Sequence, residues 1–177
     1  MRMLLIKLIS WLATLKYRIF YSGRVKFGKN VIANFKLKIA GPGIVEIGDN
    51  VNLWAFAEPN LFLTFDPAAK IVVGAGTRIN GATLQARESI IIGQNCLLGS
   101  TIIMDNDFHH ADPKKRHSKL DIPTKPVLIE NNVWLAGQSA VLKGVTVGQN
   151  SVVGFRAVVA KNVPANVTVV GNPAREV

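Results

Sequence analysis

A chain of 177 residues with 49% hydrophobic and 18% charged side chains has ample apolar surface to offset its ordering entropy. That excludes a disordered polymer and fits one domain with a substantial core. Its single cysteine excludes an intrachain disulfide and fits a reducing compartment. The net charge of +10 points to phosphate-bearing small molecules, an anionic membrane surface or plain solvation. Nucleic acid is not expected, because the basic residues read as scattered and no zinc-finger, RRM or KH signature is present.

Residues 1–22 make the first predicted element. Met3 to Leu15 is mostly apolar, but Lys7 interrupts the run and Lys16 to Arg18 closes it. It is too short to span a bilayer, which needs about 20 apolar residues. A charge inside the run, with no small-x-small site after it, argues against a signal peptide. Leu5, Leu8, Leu12, Leu15 and Ile19 share one helical face, with Lys7, Thr14 and Arg18 on another. The expectation is a basic amphipathic helix that either packs against the body or a neighbouring subunit, or lies on an anionic membrane surface.

Few aromatics and many β-branched residues favour strands over most of residues 23–177. A hydrophobic residue followed by glycine keeps returning, at Phe27-Gly28, Ile47-Gly48, Val73-Gly74, Ile92-Gly93, Val147-Gly148 and Val153-Gly154. The spacing is strict further on, where Ile129, Leu135, Val141, Val147, Val153 and Val159 recur every six residues. Four places after each comes a small or aliphatic residue: Val133, Ser139, Val145, Ser151, Ala157 and Val163. A hexad of this kind supplies a short strand and a turn, and three hexads close one triangular coil of about 18 residues. The aliphatic residue and its partner four places on point inward. Glycine or asparagine at the corner accepts a positive φ. Coils starting near residues 27, 47, 73, 92, 129 and 147 give about six, with insertions at Ala57 to Ala69 and near Gln85. A helical alternative would place a breaker in every second turn. The fold class expected is all-β, a parallel β-helix of hexapeptide repeats closed by residues 164–177. Cys96 falls on an inward position and reads as a small core residue, not a nucleophile.

Residues 105–126 break the pattern with an excess of about 19 residues over one coil. This external loop holds all three histidines, His109, His110 and His117, and four carboxylates counting Asp121. Such concentration on a long excursion from a regular solenoid reads as functional.

Three segments now resemble a known family. His109-His110-Ala111-Asp112-Pro113-Lys114-Lys115-Arg116 is similar to the His-Pro-Leu-Asp-Pro-x-x-Arg segment of the maltose and galactoside O-acetyltransferases. Lys125-Pro126-Val127 through Asn131-Asn132-Val133-Trp134-Leu135 resembles that family's strand re-entering the helix, and Val169-Val170-Gly171-Asn172-Pro173-Ala174-Arg175 its tail. The resemblance covers residues 70–177. Residues 1–60 look more like the polysaccharide and lipopolysaccharide O-acetyltransferase branch.

The resemblance implies a left-handed coil, a homotrimer and acetyl-CoA as co-substrate; the expected compartment is cytoplasmic, with residues 1–20 either packed on the trimer or set against the inner face of the membrane. It implies direct transfer of an acetyl group to a sugar hydroxyl in surface polysaccharide or lipopolysaccharide synthesis. His109 would be the general base, suited by an imidazole pKa near operating pH. Asp107 or Asp112 would orient the ring. Asn80 and Trp134 would meet the acceptor. Trp134, Gly137, Phe155, Arg156, Lys161 and Arg175 would line the CoA groove, the last two meeting phosphates. Phe155-Arg156 departs from the family's small pair there, and either narrows the groove or adds a phosphate contact. No placed Ser or Cys nucleophile is seen, and none is needed.

Three rivals differ in class. N-acetylation of an amino sugar or xenobiotic would use the same base. A non-catalytic β-helical scaffold would leave the loop idle. A γ-class carbonic anhydrase would need zinc held by histidines from well-separated positions, yet no histidine lies outside residues 109–117, so no metal is expected.

Overall fold

The computed structural model describes residues 2–177. One helix, α1 (Arg2–Phe20), leads into a left-handed parallel β-helix of triangular section. Its first coil is β1 (Val25–Phe27), β2 (Ile32–Ala33) and β3 (Leu37–Ala40), one strand on each face. Later coils add their strands on the same three faces, giving sheets of six, eight and six strands.

Five of the six recurring hydrophobic-glycine pairs stack on the first face, and Val153-Gly154 lies on the second. Phe27 pairs with Ile47, Ile47 with Val73, Val73 with Ile92, Ile92 with Ile129, and Ile129 with Val147. All twelve residues of the six strict hexads, from Ile129 to Val163, are buried. Like stacks on like, so each coil buries an apolar surface that it could not bury alone. Inward polar residues are satisfied within the stack: Thr101 Oγ1 lies 2.9 Å from Ser139 Oγ, and Ser151 Oγ donates to the Pro164 carbonyl at 2.6 Å. Cys96 is fully buried, and desolvation pushes its thiol up, which suits a core residue.

The corners separate two roles that the sequence pattern merges. Asn30, Asn50, Asn95, Asn132, Asn150 and Asn166 sit at one corner with φ between 55° and 62°, and Gly76 takes the same place in the coil that lacks an asparagine. Their carboxamides form a ladder, with Asn132 Nδ2 donating to Asn150 Oδ1 and Asn150 Nδ2 to Asn166 Oδ1. The glycines of the hydrophobic-glycine pairs are not in the left-handed region. They answer to close stacking instead: a Cβ on Gly74 would lie 2.5 Å from the backbone of Gly93 in the next coil.

α1 lies across the open end of the first coil. The Tyr17 hydroxyl donates to the Leu37 carbonyl at 3.1 Å and accepts from the Ile39 N–H at 3.0 Å, and Ser10 Oγ accepts from the Ala33 N–H at 3.1 Å. The helix therefore packs on the body, but through Ser10, Ala13, Thr14 and Tyr17. Leu5, Leu8, Leu12 and Ile19 of the leucine face point outward, 43% to 58% exposed. The reason is the edge it covers: a terminal coil presents unpaired backbone groups, which hydroxyls can satisfy and leucines cannot. Tyr17→Phe should accordingly cost about 2 kcal/mol, because it strands one buried donor and one buried acceptor; urea unfolding measures this. At the other end Arg175–Glu176 folds back antiparallel on Thr168–Val170 and closes the second sheet.

Candidate active site

The loop leaves the β-helix at the corner between the third and first faces. Ile90 pairs directly with Val127, so the ladder continues as if residues 105–126 were absent. Its two ends meet in an antiparallel bridge between Asn106 and Thr124. Asp105 forms the root. Its fully buried carboxylate accepts from the Arg87 N–H at 2.8 Å, the Glu88 N–H at 2.7 Å and Asn106 Nδ2 at 2.9 Å. Two further anchors fix the next turn. The Phe108 ring packs edge-on against Phe65 with centroids 5.3 Å apart, and Lys143 Nζ donates to both Asp107 carboxylate oxygens at 2.5 and 2.7 Å.

His109 comes directly after these anchors and is exposed. Its Nδ1 lies 3.0 Å from the Arg116 carbonyl oxygen. A carbonyl only accepts, so Nδ1 carries the proton, and in the neutral ring the lone pair is on Nε2. Neither carboxylate expected to orient the ring touches it. Asp107 is engaged by Lys143, and Asp112 accepts from the Lys114 N–H at 2.9 Å in a local turn. The orienting group is the Arg116 backbone. A carbonyl within reach of the ring satisfies it without a second charge, which leaves Asp107 free to tether the loop. His110 is similarly tied, through Nε2 to the Leu120 carbonyl at 2.8 Å.

The remaining site residues fall into two groups. Asn80 and Trp134 share a shallow hollow of about 210 Å³ on the second face with Arg78, Leu97, Leu98 and Gly99. Asn80 is partly committed, because its Oδ1 accepts from the Phe56 N–H at 3.0 Å. Gly137 lies at the corner beside it: a Cβ there would sit 3.6 Å from the Phe155 ring in the coil above. Arg156 lies over that ring at 5.2 Å and donates through Nε to Gln138 Oε1 at 2.7 Å. This tie holds the guanidinium against the corner. Lys161 and Arg175 belong to the second group, lining one hollow of about 460 Å³ at the end of the β-helix with Asn162, Pro164, Pro173 and Glu176.

The loop and the hollow of Asn80 and Trp134 do not meet within one chain, whereas Lys161 lies one coil beyond Lys143, on the same corner as the loop. The loop contacts residues of the third-to-first corner: Phe65, Arg87, Glu88 and Lys143. Trp134 and Asn80 stand on the second face, which in a triangular prism lies opposite that corner. Sequence reasoning missed Phe65, Phe108, Lys143 and the root function of Asp105. Only Asp105 carried a signal, its place directly after the last regular strand before the loop.

Comparison with known proteins fits this architecture. The hexapeptide repeat of succinyl-transferase matches residues 89–101 and 126–155, on either side of the loop. The galactoside O-acetyltransferase of Lactococcus lactis is 34% identical over 72% of this chain and 59% of its own length. A putative colanic acid biosynthesis acetyltransferase of Escherichia coli, WcaF, is 32% identical over 84% of this chain and 66% of its own length. The crystal structure of a hexapeptide-repeat containing acetyltransferase from Vibrio cholerae, complexed with acetyl coenzyme A, superposes with a TM-score of 0.60. It is 26% identical and covers 86% of this chain and 69% of that one. The chain thus spans between about three fifths and two thirds of the length of these two curated relatives.

Proposed function

We propose, from the premise that this chain is a left-handed β-helix of hexapeptide repeats related to the hexapeptide-repeat acetyltransferases, that it transfers an acetyl group from acetyl-CoA to a hydroxyl of a glycan. The observation that carries this reading is His109: an exposed imidazole on an anchored loop, with Nδ1–H held by a carbonyl and Nε2 free. In the reaction Nε2 takes the proton of the acceptor hydroxyl as its oxygen attacks the thioester carbonyl. The C–S bond then breaks, and the CoA thiolate leaves with the proton returned by the imidazolium. No covalent enzyme intermediate forms. Lys161 and Arg175, gathered at one hollow, supply positive charge for the phosphates of CoA. Phe155 serves as a wall of the acyl groove, since Arg156 is tied to Gln138. A glycan acceptor is supported by kinship with a galactoside enzyme and with a colanic acid biosynthesis enzyme.

The separation of His109 from Trp134 supports a site built between subunits. In a cyclic homotrimer, the third-to-first corner of one protomer would face the second face of its neighbour. That arrangement supplies the acceptor pocket that one chain leaves open. The test of the activity is release of free CoA from acetyl-CoA, offered with galactosides and oligosaccharides in turn. Release that depends on an acceptor supports the reading, and indifference to every glycan while an amine acceptor drives release would replace it with N-acetylation.

A further inference from the structure

The charge of this protein is concentrated at one end. Residues 1–45 contain nine Lys and Arg and no Asp or Glu, the first acidic residue being Glu46. Residues 46–177 hold twelve basic and eleven acidic residues and are close to neutral. Although twelve basic residues are scattered over the rest of the chain, the nine that carry most of the net charge are segregated. They fall on α1 and the first coil, the end of the prism that α1 covers.

The same end is the most apolar part of the surface. Leu4, Leu5, Leu8, Leu12, Ile19 and Phe20 of α1 are 43% to 78% exposed. The residues that α1 buries, Ser10, Ala13, Thr14 and Tyr17, lie on one side of the helix, so Leu8 and Ile19 project directly away from the body. At 100° per residue Lys7 and Arg18 flank this apolar stripe on one side and Lys16 on the other. An apolar strip with cations along both margins is what a helix lying in a bilayer interface presents. Among the described residues no helix is long and apolar enough to cross a membrane, so the geometry is one of lying on the surface.

We propose that the α1 end of the β-helix docks on an anionic lipid bilayer, the leucine face entering the acyl boundary and the basic margin meeting the headgroups. Two observations favour a bilayer over a second copy of the chain. Two α1 ends facing each other would set one strongly basic surface against another, which is repulsive. And α1 covers an end of the prism, so side-by-side association of prisms leaves its outward face free. The coils stack at about 4.8 Å each, so the loop bearing His109, leaving the fourth coil, would stand about 15–20 Å above the headgroups. This inference is independent of the catalytic reading.

The test is co-sedimentation of the full chain with phosphatidylcholine vesicles, with and without phosphatidylglycerol. Binding should require the anionic lipid and weaken with salt, because each basic residue near the surface contributes about fivefold in partition. Leu8→Asp/Leu12→Asp should reduce binding by tenfold or more, and Lys7→Gln/Lys16→Gln should do the same on anionic vesicles. Both pairs are exposed, so circular dichroism should show the fold kept; the lysine pair keeps the test valid if the leucine pair does not fold. Equal partition onto neutral and anionic vesicles, or full binding by the folded double variants, would overturn the proposal. So would a fall in oligomeric state for Leu8→Asp/Leu12→Asp by light scattering with vesicle binding intact, which would make this face a contact between copies.

Discussion

His109→Ala should lower the turnover of acetyl transfer by two to four orders of magnitude, the range for loss of a positioned general base, while leaving the fold intact. The fold should survive because His109 is exposed and its one side-chain bond is to the Arg116 carbonyl. Affinity for acetyl-CoA should change little, since His109 does not line the hollow of Lys161 and Arg175. The neighbouring residues sharpen the comparison. Asp107→Asn and Asp112→Asn should each cost far less than His109→Ala, because neither carboxylate touches the imidazole. Asp107→Asn should loosen the loop by weakening its tie to Lys143. Steady-state rates for the three variants, with circular dichroism as the control, give the ranking. An Asp107 variant as inactive as His109→Ala would restore that carboxylate as a partner of the base.

Asp105→Ala should be among the most destabilising single changes outside the core. The carboxylate receives two backbone N–H groups from the Arg87–Glu88 turn and one side-chain amide from Asn106, all at 2.7 to 3.0 Å. Truncation leaves these donors without an acceptor in a fully buried place, and charge-assisted bonds are the stronger kind. The expected loss is about 3 kcal/mol or more, which for a chain of this size lowers the melting temperature by about 6–12 °C. Asp105→Asn keeps one acceptor oxygen and should lose less. Activity should fall with stability, since the same residue joins the coil to the root of the loop that bears His109. Thermal melts of the two variants beside wild type check both statements.

Much of the fold could be read from the residues because the hexad repeat is a packing rule written along the chain. An inward position at every sixth residue, with a small partner four places on, leaves little freedom once coils stack, and Ile129 to Val163 obey it throughout. The facing of α1 could not be read the same way. Helical periodicity groups Leu5, Leu8, Leu12 and Ile19, but what the helix covers is an unpaired strand edge, and that edge selects Tyr17 and Ser10. The loop was visible as an interruption, and its histidines as a concentration of chemistry. Its anchors were not, because Phe65 with Phe108 and Asp107 with Lys143 are partners only after the coils are wound. Nor could any pattern show that Arg116 orients His109, since every residue carries a carbonyl. The charge asymmetry was different. It lay in the sequence, visible as soon as charges are counted by segment.

The claim most in need of direct test is that the catalytic site is shared, His109 from one protomer and the face of Trp134 from its neighbour. Co-expressing His109→Ala with Trp134→Ala and assaying CoA release tests it. Each variant alone lacks one half of every site. In mixed trimers about a quarter of the interfaces would pair an intact His109 with an intact Trp134, so the mixture should recover about a quarter of wild-type activity. A mixture no more active than the average of its two parents would contradict a shared site.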